Sequence, residues 1–299
     1  MAVTFSELRT VVFGSHSRGD YQVGLKAIEG YEATNEDEGA SLAFWRMCLL
    51  SLLGRVDQAC SVFAQSLDEG EWWGPQMLGD SDFENVRHLE EWKQLSEISL
   101  QRASGAAIEL SPIDLAGKGD VESALVLFHG AASEPWAMIG RFEHALSMGY
   151  RLICLRGDEP YSRTRQGWSN SRGDQHALRQ LEAVGHLTGP VLVGFSQGAG
   201  LAAHLSWSGQ YPCKGAVLFA PSFSIRGMPF ASPQRVPAPI YLHVGTMDPS
   251  LDDARQVART LQQSGVPVRL LEQRGLGHDW PDDLDQVMLE AMAWINENG

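Results

Sequence analysis

The chain has 299 residues, 43% hydrophobic and 20% charged, the balance of a soluble globular protein with room for one large domain or two. Its formal net charge is −14, and the first 110 residues hold 8 Lys and Arg against 18 Asp and Glu. That excess argues against nucleic-acid or anionic-membrane partners, which need clustered cations, and reads as a solvated acidic face.

The opening MAVTFSELRTVVFGSHS lacks a basic start followed by a long apolar run, so no signal peptide is expected. No stretch approaches the ~18 apolar residues of a membrane span. Cys48, Cys60, Cys154 and Cys213 form no CxxC pair, and Cys48 and Cys154 sit in apolar runs, where cysteine behaves as a small buried hydrophobe. A reducing cytoplasm is the expected compartment.

Residues 1–103 read as an all-α helical-hairpin domain. ASLAFWRMCLLSLLG (40–54) is apolar on every side of a helix, and RVDQACSVFAQSLDEG (55–70) is amphipathic with a period near 3.6 and closes on glycine. Gly19 and Gly54 open two similar turn-helix segments 35 positions apart, close to the 34-residue period of tetratricopeptide helix pairs. LGRVDQACSVFAQSLDEG followed by EWWGPQMLGDSDFENVRHLEEWKQL resembles a terminal tetratricopeptide-type segment. Trp45, Trp72, Trp73 and Trp92 lie in this region and suggest packing at an active-site rim or a homodimer through these helices.

Residues 104–299 have a different texture. AAIELSPIDL (106–115), SALVLFHG (123–130), YRLICLRG (150–157), VLVGFS (191–196), GAVLFAPS (215–222), IYLHVG (240–245) and VRLLEQRG (268–275) alternate with helical stretches. This pattern predicts an α/β fold, a mostly parallel sheet covered by helices on both faces. Chemistry in such folds gathers at the carboxyl ends of the strands.

Three residues stand at such ends. Gly194-Phe195-Ser196-Gln197-Gly198 fits G-x-S-x-G between a strand and a helix, the context that turns a weak pattern into a candidate nucleophile. Asp248 follows IYLHVG and His278 follows VRLLEQRG, giving the chain order Ser, Asp, His. A serine hydroxyl needs a base, and the base needs an orienting acid. His204 and His243 read as packed histidines, Asp252 and Asp253 as first-turn charges, and Asp282 and Asp283 as helix-start residues. The backbone N–H groups of Gln197 and Ala131 are the expected oxyanion donors, and His129 reads as a residue that fixes the Ala131 loop. Trp136, Trp168 and Phe223, with Tyr161, Ile225, Met228 and Phe230, are candidate apolar walls for the substrate.

HGAAS, GFSQGAG, GTMDP and GHDW resemble the phospholipase/carboxylesterase branch of the α/β-hydrolase superfamily, which includes acyl-protein thioesterases. The resemblance covers about residues 106–299 and implies a Ser196-Asp248-His278 triad with an Ala131 and Gln197 oxyanion hole. Ala-Ala-Ser after His-Gly departs from the usual bulkier residue and Gly-Asp, and the helical third lies outside the family pattern. The expected activity is hydrolysis of short- to medium-chain carboxylic esters, a small-molecule substrate. Thioesters, lysophospholipids and peptides with a small N-terminal group stay open, as does a non-catalytic scaffold. No metal or other cofactor is expected, since neither HExxH nor a cysteine cluster is present.

Overall fold

The computed structural model describes residues 3–106, 111–117, 123–223 and 238–299. They form two compact units, one of Met1–Ala107 with Pro160–Thr164 and one of Ile108–Glu159 with Arg165–Gly299. The linear reading places the division at 103/104. It has no place for Pro160–Thr164, which the chain contributes to the helical unit from inside the second unit's sequence.

In the helical unit, α1 (Phe5–Ser17), α2 (Tyr21–Glu29), α3 (Glu36–Leu52) and α4 (Val56–Asp68) pack successively, followed by α5 (Pro75–Leu78), a 3₁₀ turn at Ser81–Phe83 and α6 (Glu90–Gly105). Thr4 caps α1 reciprocally with Glu7. The two turn glycines do equivalent work: Gly19 has φ 76° and Gly54 φ 70°, a backbone region that strains other residues. Phe44, Phe63, Trp73, Phe83 and Trp92 build one aromatic core, with Trp92 4.8 Å from both Phe63 and Phe83. Trp72, Trp73 and Trp92 are buried, whereas Trp45 is partly buried and stacks on Phe5 at 5.3 Å.

The second unit holds a seven-stranded sheet in the order β1-β3-β2-β6-β7-β8-β9. Its strands are β1 (Ile113–Leu115), β2 (Ala124–Phe128), β3 (Arg151–Cys154), β6 (Val191–Phe195), β7 (Gly215–Phe219), β8 (Ile240–Gly245) and β9 (Val268–Gln273). All neighbours are parallel except edge strand β1, which runs antiparallel to β3. Two short strands, β4 (Glu159–Pro160) and β5 (Gln166–Gly167), form a separate ladder.

Side chains alternate across the sheet. Val126, Leu192, Leu218 and Leu242 face α9 (Gly173–Val184), α10 (Ser196–Trp207) and α11 (Leu251–Gln263). Leu127, Val193, Val217 and Tyr241 face the opposite core with α7 (Pro135–Arg141) and α12 (Leu284–Asn298), while α8 (Glu143–Ser147) packs near β3. Burial on both faces explains why the central strands read as unbroken apolar runs. Among the described residues no helix is long and apolar enough to cross a membrane.

Candidate active site

The site grows from the turn between β6 and α10. Ser196 has φ 52°, a strained conformation for a residue with a Cβ. The turn survives because its neighbours lie against backbone. A Cβ on Gly194 would stand 2.5 Å from Ala199 Cα, and one on Gly198 would meet the Phe128 and His129 carbonyl oxygens, both at 2.3 Å. The glycines thus permit close packing around the serine, while Ser196 itself carries the unusual φ.

Ser196 Oγ lies 2.9 Å from His278 Nε2, and His278 Nδ1 lies 2.9 Å from Asp248 Oδ2. The Asp248 side chain is fully buried, and its other oxygen accepts the Ser250 N–H at 2.8 Å. An ionised carboxylate only accepts, so the proton of His278 sits on Nδ1 and leaves Nε2 to accept from the serine. Phe195 stacks on Trp280 at 4.6 Å and lies 5.4 Å from the His278 ring, an aromatic floor that joins the serine turn to the histidine loop. Arg141 lies over the Trp280 ring, 5.3 Å from its centroid.

The loop after β2 approaches from the other side. A Cβ on Gly130 would lie 3.5 Å from Ser196 Cβ, so this backbone runs against the serine. Ala131 is exposed, and Ala132 has φ 49°. Gln197 lies in the first turn of α10, where backbone N–H groups have no partner within the helix. His129 is fully buried: Nδ1 lies 2.8 Å from the Gly130 carbonyl and Nε2 accepts the Gly157 N–H at 3.1 Å. Both contacts suit a neutral ring, and burial lowers its pKa to about 4.

Two substrate-wall expectations need correction. Trp168 is wholly buried; its indole N–H donates to the His129 carbonyl at 2.9 Å, and its backbone N–H donates to Gln197 Oε1 at 2.9 Å. Gln197 Nε2 in turn donates to the Trp168 carbonyl at 2.8 Å. Trp168 therefore ties the serine turn to the β2 loop and offers no face to a ligand. Phe223, 5% exposed, belongs to the core beneath α10 and α11. Trp136 is 51% exposed in the first turn of α7. Tyr161 lies in the helical unit, whereas Ile225, Met228 and Phe230 fall outside the described residues.

Sequence reasoning missed the Gln197 side chain, a two-point clamp on Trp168. Its signal was a long amide beside the serine, where a backbone donor alone requires no particular side chain. His204 stands 3.9 Å from Asp174, His243 is buried in β8, and Asp252 and Asp253 occupy the first turn of α11. Among the described residues no group of three or more His, Cys, Asp or Glu could hold a metal ion.

A model of the alpha/beta hydrolase family matches residues 125–297, and the chain belongs to that family. Over 198 residues, 60% of this chain and 96% of its relative, it is 29% identical to the Bacillus subtilis (strain 168) protein named "Putative hydrolase MhqD". An uncharacterized protein from Bacillus cereus ATCC 10987 matches over 99% of this chain and 100% of its own, at 16% identity and TM-score 0.51. Esterase PE8 matches over 64% of this chain and all of its own, at 20% identity and TM-score 0.50. At these identities the solved structures support the fold.

Proposed function

We propose that this hydrolase is a serine carboxylesterase acting on short- to medium-chain esters. The observation that carries the reading is the unbroken relay Ser196–His278–Asp248, with both contacts at 2.9 Å, on loops at the carboxyl ends of parallel strands. In the reaction His278 Nε2 removes the Ser196 proton as Oγ attacks the ester carbonyl. The backbone N–H groups of Gln197 and Ala131 receive the oxyanion, aided by the positive end of α10. His278 then protonates the leaving alkoxide, and a water activated by the same ring releases the acid from the acyl-enzyme. Asp248 holds the imidazole tautomer and offsets its positive charge.

Exposed Trp136 and Met247, which precedes Asp248 in the chain, give apolar surface suited to an acyl or aryl group. The 35-residue spacing of the turn glycines supports a tetratricopeptide-type reading of the helical pairs.

The test is hydrolysis of p-nitrophenyl esters from acetyl to palmitoyl, with Ser196→Ala beside the unchanged protein and a fluorophosphonate probe on both. Short-chain turnover and labelling that vanish in the variant support the reading. A variant that still turns over, or an unchanged protein that neither labels nor hydrolyses, refutes it.

A further inference from the structure

The Pro160–Thr164 segment is the tip of a long excursion between β3 and α9, and it belongs to the helical unit. Its seat is built from that unit's own residues. Ser99 brackets Trp73, its Oγ accepting the Trp73 N–H at 2.7 Å and donating to the Trp73 carbonyl at 2.9 Å. Trp73 so fixed makes an antiparallel bridge with Ser162, and the Gly74 N–H donates to the Tyr161 carbonyl at 2.8 Å. Glu71, nearly buried, accepts from Arg163 Nη2 at 2.8 Å and Nε at 3.2 Å. Gly74 leaves no slack, because a Cβ there would stand 2.3 Å from the Pro160 carbonyl oxygen.

The neck of the same excursion is woven into the proposed catalytic loops. A Cβ on Gly157 would stand 2.2 Å from the Gly167 carbonyl oxygen, so the two arms touch backbone to backbone. Asp158 binds Ser169 through both the backbone N–H, at 2.9 Å, and the hydroxyl, at 2.5 Å. Gln166 exchanges two backbone hydrogen bonds with Ser133, at 3.0 and 3.2 Å, two residues past Ala131. Trp168 is gripped by Gln197, and Gly157 is bonded to His129. Every backbone group expected to hold the oxyanion is therefore within two residues of a hydrogen bond to this neck.

We infer that the helical unit is a positioning element for the oxyanion hole, acting by holding Pro160–Thr164 and so fixing the neck that braces Gln197 and the Ala131 loop. The catalytic half of this inference rests on the esterase reading; the mechanical half does not. Only one residue separates the seated tip from the neck on either side, Glu159 before it and Arg165 after it, too little chain for the tip to move without pulling on Gln166 or Asp158. A residue that loses its geometry by about an ångström costs on the order of a hundredfold in rate.

The experiment uses the full chain carrying Gly74→Ala, whose φ of −76° alanine accepts, so the added methyl acts only against Pro160. Glu71→Gln serves as a milder second variant should the first fail to fold. Two readouts are taken. Hydrogen exchange followed by mass spectrometry reports peptides spanning 131–135 and 165–169. Turnover is measured per fluorophosphonate-titrated Ser196, so that unfolded protein is not counted. The expected result is faster exchange in both peptides, a fall in kcat of about tenfold or more and a smaller change in KM, graded from Gly74→Ala to Glu71→Gln. Unchanged exchange in both peptides overturns the coupling, whatever the substrate. Faster exchange with kcat per titrated site unchanged overturns the positioning role. An unchanged protein that neither labels nor hydrolyses overturns the esterase reading and with it the catalytic half, and exchange alone then decides the mechanical half.

Discussion

Replacing His129 by Gln should change how the sheet unit responds to acid. In the folded chain burial lowers the His129 pKa to about 4, against 6.5 for an ordinary histidine. Between those values the unfolded chain binds a proton that the folded chain refuses. Stability from this residue is therefore complete above pH 6.5 and is lost as pH falls toward 4. The full gap corresponds to about 3 kcal/mol, and most of it, about 2 kcal/mol, is spent between pH 7 and pH 4.5, a slope of nearly one proton. Other groups contribute to the acid response, His176 and His243 among them, since burial lowers both pKa values. The difference between the two proteins isolates His129. Urea titrations at pH 7 and pH 4.5, read by pulsed hydrogen exchange of β2 and β6 peptides, report the sheet alone. The variant should start less stable at pH 7, having lost a fitted donor and acceptor, and then lose about 2 kcal/mol less on acidification. Equal losses in both proteins would mean that His129 is not held neutral between Gly130 and Gly157.

Asp248→Asn should leave the fold intact and lower kcat roughly 10³- to 10⁴-fold, because an amide stabilises the wrong imidazole tautomer; pre-steady-state hydrolysis would read this. Gln197→Leu strands the buried N–H and carbonyl of Trp168, at about 1–3 kcal/mol each, and should lower the urea midpoint of the sheet unit while slowing turnover. Gly198→Ala drives a methyl against the backbone carbonyls of Phe128 and His129; fluorophosphonate labelling should slow by about 100-fold or more, and a native labelling rate would contradict that packing.

Much of the sheet was legible because burial on both faces writes itself as continuous Val, Leu, Ile and Phe runs. The serine turn was legible because strand, glycines and helix are contiguous. Asp248 and His278 could be sought only because a parallel sheet places its loops at one end. What escaped was long-range and carried by single side chains. Gln197 and Trp168 are 29 residues apart, and Glu71 and Arg163 are 92 apart, so no periodicity reports either pair. Trp168 and Phe223 looked like pocket walls because a large apolar residue in a loop reads the same whether it faces a ligand or the core. The antiparallel turn of β1 was also invisible, since three edge residues carry too little pattern to give a direction.

The seat for Pro160–Thr164 also bears on how the protein is made. The helical residues leave the ribosome first, yet Glu71 lacks Arg163 until ninety-two further residues have been synthesised. Until then a nearly buried carboxylate and the Gly74 amide face an open edge. The helical third is thus not a finished module to which an enzyme was appended. It is completed only when the nascent enzyme has passed its third sheet strand, so expressing residues 1–103 alone should yield a domain with an unfilled groove.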